Sequence, residues 1–216
     1  MSLAATEFLD HEAPAVRAYL QRVLGDDLDR PARELEVTLY TAIRDGIGYE
    51  IYGADLSRAG LRASTVATSA RGLCLHKSTL FAACARALGI PSRLTLVDVR
   101  NHVASPRLQR LLGSDVVHFH AYAQLELDGR WVRATPVFSR ALCGLYRMTP
   151  LEFDGVHDAL LQDNGGRRLE VVREHGTFDD LPYEYVIAGL RAAHPNLFVP
   201  RLARVRSGSL IAEAVA

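Results

Sequence analysis

Residues 70–93 read ARGLCLHKSTLFAACARALGIPSR, and the fold turns on how this stretch is taken. Leu80, Phe81, Cys84 and Leu88 recur at three- and four-residue spacing and make one apolar stripe of a helix. Ala82, Ala83, Ala85 and Ala87 fill the rest with the strongest helix former. Gly89, Ile90 and Pro91 stop it, because glycine accepts a left-handed turn and proline cannot continue a helix. At the other end the backbone bends at Gly72, and Cys74 follows in the first turn. A thiol there feels the positive end of the helix dipole, which favours thiolate. Lys77 and Ser78, three and four residues on, share the face of Cys74, so a cation is expected to lower the thiol pKa further. Lys77 is also the only lysine in the chain. An ammonium and a guanidinium are not interchangeable, which marks the position. Cys74 is the candidate nucleophile; the alternative is a small buried hydrophobe near a helix start.

Upstream, residues 13–24 read as a short amphipathic helix ending at Gly25. Asp29 then caps a second helix with Pro31 at its first position and Leu35, Leu39 and Ile43 as its core stripe, ending near Gly46. The irregular run 47–64 is expected close to the Cys74 turn, with Tyr49 and Tyr52 packing there or lining a groove.

Downstream, SRLTLVDV (92–99) alternates as a strand, and PRLQRLLG (106–113) as a short helix. VVHFHAYAQLEL (116–127), Asp128-Gly129 and RWVRATPVF (130–138) read as a hairpin, since both central residues of a type I′ turn need positive φ. A two-residue loop sets Leu127 opposite Arg130 and Tyr122 opposite Thr135. His118 and His120, two residues apart, are expected on one face, with Thr135 a diagonal neighbour of His120 at about 7–8 Å. Phe119, Ala121, Ala123, Leu125, Val132 and Ala134 take the other face, which is also apolar, so the sheet is expected to be covered on both sides. Beyond Ser139 the pattern weakens. Residues 151–162 are read as a turn and helix, 163–172 as a turn and short strand, and Tyr183 to Ala193 as a helix. His157 and His175 are expected at the surface.

Composition narrows the function. Net charge is zero and the pI is about 7.1, so no basic footprint for nucleic acid or acidic membrane exists. The first residues, MSLAATEFLDHEAPAV, lack the basic and apolar regions of a secretory signal, and no apolar run is long enough to span a bilayer. Three cysteines argue against a disulfide scaffold and for a reducing cytoplasm. One domain is expected over residues 1–204, with a loosely held tail at 205–216.

A nucleophilic thiol needs a base, and His118 and His120 are the candidates on the strand. Taken together, GLCLHKSTLFAACARALGIPSR, HAYAQLELDGRWV and ATP resemble the transglutaminase-like superfamily of papain-type cysteine enzymes, over roughly Tyr40 to Phe138. The resemblance implies an α+β fold with helices packed on an antiparallel sheet, and a Cys-His-Asp triad acting on acyl or amide carbonyls. By position it makes Cys74 the nucleophile and His120, in the run HAY, the base. The third position, an Asp in an Asp-Pro-Thr run in the family, is Thr135 here. A hydroxyl can orient an imidazole but cannot stabilise its cation; in serine proteases a neutral third residue lowers the rate by about 10⁴. A carboxylate from elsewhere, Asp154 or Asp158, is the alternative orienting group.

Three readings follow. The first is a cysteine enzyme of acyl transfer or amide hydrolysis acting on a peptide, protein or other amide, with no cofactor. The second is a domain of the same fold that has lost catalysis and binds a partner. The third is a metal site from Cys74, His76, His118 and His120, disfavoured because Cys74 and His76 are two apart on a helix and diverge.

Overall fold

The computed structural model describes residues 3–100, 106–161, 163–164, 167–198 and 209–214. In chain order it forms α1 (Pro14–Leu24), α2 (Ala32–Gly46), β1 (Gly48–Tyr49), α3 (Ala63–Val66), β2 (Arg71–Gly72), α4 (Cys74–Ala87), β3 (Ser92–Arg100), α5 (Pro106–Leu112), β4 (Val116–Leu127) and β5 (Arg130–Ala134). There follow α6 (Arg140–Leu145), β6 (Asp163–Asn164), β7 (Arg167–Arg168), β8 (Glu170–Phe178), α7 (Tyr183–Ala193), a 3-10 turn (Pro195–Leu197) and α8 (Leu210–Ala214).

The stretch read first is the centre of the molecule. Every side chain of α4 from Cys74 to Arg86 is buried, so the helix has no solvent face rather than a single apolar stripe. It lies on an antiparallel sheet of order β5-β4-β3-β8. Leu94, Leu96, Ala121, Ala123 and Leu125 face α4 within the main core. Val97, Val99 and Tyr122 form a second cluster on the far face, closed by Leu160, Leu161 and Leu169. The sheet is therefore covered on both sides, as its two apolar faces require.

The Asp128-Gly129 turn sets the register expected from sequence: Leu127 pairs with Arg130 and Ala123 with Ala134, and both turn residues have positive φ, 50° and 73°. β5 stops at Ala134, short of Phe138, because Pro136 has no N–H to continue a ladder. Thr135 turns instead to the carbonyl of Ala159 at 2.9 Å.

Three irregularities interrupt the sheet around Asp98, and two of them add a residue beside a histidine. On β4, His120 pairs with Val97 and Val117 with Val99, so His118 and Phe119 together stand opposite Asp98, and Phe119 takes a φ of 57°. On β8, Gly176 pairs with Leu96 and Glu174 with Val97, leaving His175 as the extra residue. Both are β-bulges, which re-aim side chains. The first breaks the alternation that would have placed His118 and His120 on one face.

Three expectations in the last third need correction. Residues 151–161 hold no helix; Asp154 caps the N–H groups of Val156 and His157, and Ala159 bridges to Ala134. β8 is a nine-residue strand rather than a short one. The tail is not loose where it is described: Leu210 is buried, its N–H donates to Glu50, and Tyr146 donates to its carbonyl. Residues 205–208 and 215–216 lie outside the described residues.

Candidate active site

Two short strands build the turn that carries Cys74. Gly48 and Tyr49 pair in parallel with Arg71 and Gly72, which brings the 47–64 segment to the helix start as expected. A Cβ on Gly72 would stand 2.7 Å from the Cβ of His76, so only glycine allows this approach. His76 spends both ring nitrogens on structure: Nδ1 accepts from the Leu73 N–H at 3.3 Å, and Nε2 donates to the Asp55 carbonyl at 3.0 Å. It is unavailable as a ligand. Among the described residues no group of three or more His, Cys, Asp or Glu side chains is placed to hold a metal ion.

Cys74 opens α4, and its sulfur lies against backbone N–H groups of Ala121, Leu75 and Cys74 itself. Burial nevertheless outweighs these donors and pushes the thiol up to about 11. The expected depressed pKa is thereby overturned. Lys77 does not help, because its ammonium is turned away into a pocket of carbonyls. Its Nζ donates to Val137, Ile47 and Arg44 at 2.6, 2.7 and 2.9 Å. The lone lysine ties the end of α2 and the segment after β5 to α4, which a longer planar guanidinium would not fit. Tyr49 packs edge-on to Phe138 at 4.7 Å and lies beside Cys74; burial first, then Cys74 and Glu50, raise its hydroxyl far above its usual range.

The Ala121 N–H that meets the sulfur belongs to the peptide following His120. The His120 ring is buried. Burial pushes it down to about 4, so it is neutral, and its Nε2 has no hydrogen-bond partner. No hydrogen bond joins ring and sulfur in this state. The Thr135 hydroxyl donates to the Ala121 carbonyl at 3.4 Å rather than to the ring. The alternative carboxylates are also engaged elsewhere. Asp154 holds the His157 ring at 2.8 Å, and Asp158 pairs with Arg133 at 2.6 Å.

His118 lies differently. It lines a cavity together with Cys74, Tyr49, Phe119, Leu190 and His194. Its Nδ1 stands 3.0 Å from Asp98 Oδ2, at ion-pair distance. Asp98 is buried and accepts from His175 Nε2 at 2.7 Å and from the Phe119 N–H at 3.1 Å. Burial works against its charge, but these hydrogen bonds and the two nearby histidines hold its carboxyl below the usual range. The His175 ring stacks on Phe119 at 4.3 Å, contrary to the surface position expected for it. His194 accepts the His118 N–H at Nε2 and donates from Nδ1 to the Leu112 carbonyl. Sequence reasoning missed Asp98, His175 and His194. One signal was present: Asp98 interrupts an otherwise apolar strand, and a carboxylate inside a covered sheet needs partners.

Comparison with known proteins agrees with this architecture. The family model that describes the Transglutaminase-like superfamily matches residues 17–136. A candidate cysteine protease from Cytophaga hutchinsonii has a TM-score of 0.52 at 18% identity, over 85% of this chain and 48% of that one, so this chain spans about half its length. An arylamine N-acetyltransferase from Salmonella typhimurium has a TM-score of 0.45 at 16% identity, over 90% and 73%. No curated protein matches the sequence.

Proposed function

The chain belongs to the transglutaminase-like superfamily, and on that premise we propose that it is a cysteine-dependent acyltransferase or amide hydrolase working through a thioester on Cys74. The observation that carries this is the placement of the Cys74 sulfur at a helix start, among the N–H groups of Cys74, Leu75 and Ala121. Such donors stabilise a thiolate, or the oxyanion that forms when sulfur attacks a carbonyl. His120, at the family's position and next to the peptide that meets the sulfur, takes the thiol proton and returns it to the leaving group. Its neutral resting state suits a base. Thr135 in place of the family's Asp leaves that base without a stabilising carboxylate.

The substrate is a peptide, protein or other amide or ester. Thioester chemistry of this kind runs on side chains alone and needs no cofactor. Three free thiols suit a reducing cytoplasm, and among the described residues no helix is long and apolar enough to cross a membrane.

A second reading, a non-catalytic binding domain of the same fold, is favoured by one observation: the unpartnered Nε2 of His120. The two separate on a burst of p-nitrophenol from p-nitrophenyl acetate. The enzyme gives a stoichiometric burst that Cys74→Ala removes; a binding domain gives none.

A further inference from the structure

We propose that His118, held by Asp98, is a second acid–base group of this site, acting on the acyl acceptor in deacylation rather than on the Cys74 thiol in acylation. The inference rests on the reading of Cys74 as the acylated residue.

Two β-bulges, one on each neighbour of β3, converge on Asp98. The bulge on β4 turns His118 toward it, and the bulge on β8 turns His175. Bulges cost ladder hydrogen bonds and cluster beside active sites. Here both deliver a histidine to one buried carboxylate. An ionised carboxylate only accepts: Asp98 takes hydrogen bonds from Nε2 of His175 and the amide of Phe119, and Nδ1 of His118 stands 3.0 Å from its second oxygen as an ion-pair contact. That carboxylate selects, by its charge, the tautomer of His118. Nδ1 carries the proton and Nε2 keeps its lone pair. Among the described residues that nitrogen has no partner, and the side chain is 31% exposed. The backbone N–H of His118 is fixed as well, by the buried His194.

The cavity that His118 lines is the one Cys74 lines. Apart from the histidines its walls are almost wholly apolar, so an acceptor held there has one group to give its proton to. The division of labour follows from the environments. His120 is buried with no carboxylate partner among the described residues, whereas His118 is open to the cavity and has one.

The step balances without an added reactant. The acceptor, water or a small amine, forms a bond from oxygen or nitrogen to the thioester carbonyl carbon. Its proton passes to Nε2 of His118, the carbon–sulfur bond breaks, and the imidazolium returns the proton to the departing thiolate. Asp98 acts through His118 and is a positioning residue.

The test follows acetylation of the full-length chain by p-nitrophenyl acetate, resolving the burst (acylation) from the steady state (deacylation). His118→Gln and Asp98→Asn are expected to keep the burst and to slow deacylation at least tenfold. In His118→Ala, added imidazole should restore deacylation; in Cys74→Ala it should not. A kept burst also shows that each variant is folded, and His118→Gln stands alone if Asp98→Asn does not fold. Wild-type deacylation rates in His118→Gln would overturn the inference while leaving Cys74 as nucleophile. An equal loss of burst and steady state in His118→Gln would make His118 the thiol's base and overturn the division proposed. Absence of any adduct on wild-type Cys74 would overturn the enzyme reading itself, and this inference with it.

Discussion

The Nζ of Lys77 and the carbonyl oxygen of Val137 stand 2.6 Å apart in the interior of the protein. Two more carbonyls, of Ile47 and Arg44, complete a cage for the only lysine in the chain. Burial pushes the ammonium down to about 7. Replacing it leaves three buried acceptors without a donor, each costing about 1–3 kcal/mol. Lys77→Met should therefore lose on the order of 3 kcal/mol or more in urea unfolding, and Lys77→Arg should not rescue it. A loss under about 1 kcal/mol would mean that water takes over the cage.

Thiol reactivity should follow burial rather than the helix dipole. With the thiol pushed up to about 11, Cys74 is protonated at neutral pH. Its alkylation by iodoacetamide should rise about tenfold per pH unit from pH 7 to 10. A rate already level at pH 7 would point to a preformed thiolate–imidazolium pair and contradict this resting state.

Thr135→Asp tests the third position directly. The His120 ring is neutral because burial pushes it down to about 4. A carboxylate within about 4–6 Å favours the imidazolium, so NMR titration should show the His120 pKa rising by about a unit or more. An unchanged value in a folded variant would separate residue 135 from the ring and remove the family's third member from this site.

Glu36 offers a pH prediction remote from the site. It is fully buried, neither oxygen has a partner, and burial pushes it up to about 8 from 4.5. The folded state keeps the proton that the unfolded chain loses near pH 4.5. Its contribution is thus fully present below that pH and is lost as pH rises toward 8, at about 1.4 kcal/mol per unit. Glu36→Gln should flatten the fall in stability between pH 5 and 8. An equally steep fall in the variant would place the proton elsewhere.

Much of the frame was legible because local rules and tertiary structure agree there. The alanine-rich run with its Gly89 stop, the Asp128-Gly129 turn and the helix at Tyr183–Ala193 all appear where periodicity and turn chemistry put them. The site was legible only in part. Counting by twos along β4 put His118 and His120 on one face, and a single extra residue opposite Asp98 undoes that count. No sequence pattern announces the bulge; Phe119 is not a residue that favours positive φ. The thiol pKa failed for a different reason. Spacing on a helix shows which side chains are near Cys74, but not that Lys77 is drawn off by three carbonyls or that the first turn is buried. His175 and His194 come from segments about 55 and 75 residues beyond His118, and only the sheet order and the docking of α7 bring them to it.

The central claim is that Cys74 carries an acyl group during turnover. The most direct measurement is peptide mapping by mass spectrometry after p-nitrophenyl acetate treatment and acid quench. One acetyl group on the peptide containing Cys74, chased off when the ester is exhausted, is the expected result. Acetylation confined to Cys84, Cys143 or other nucleophiles, with Cys74 unmodified, would contradict it.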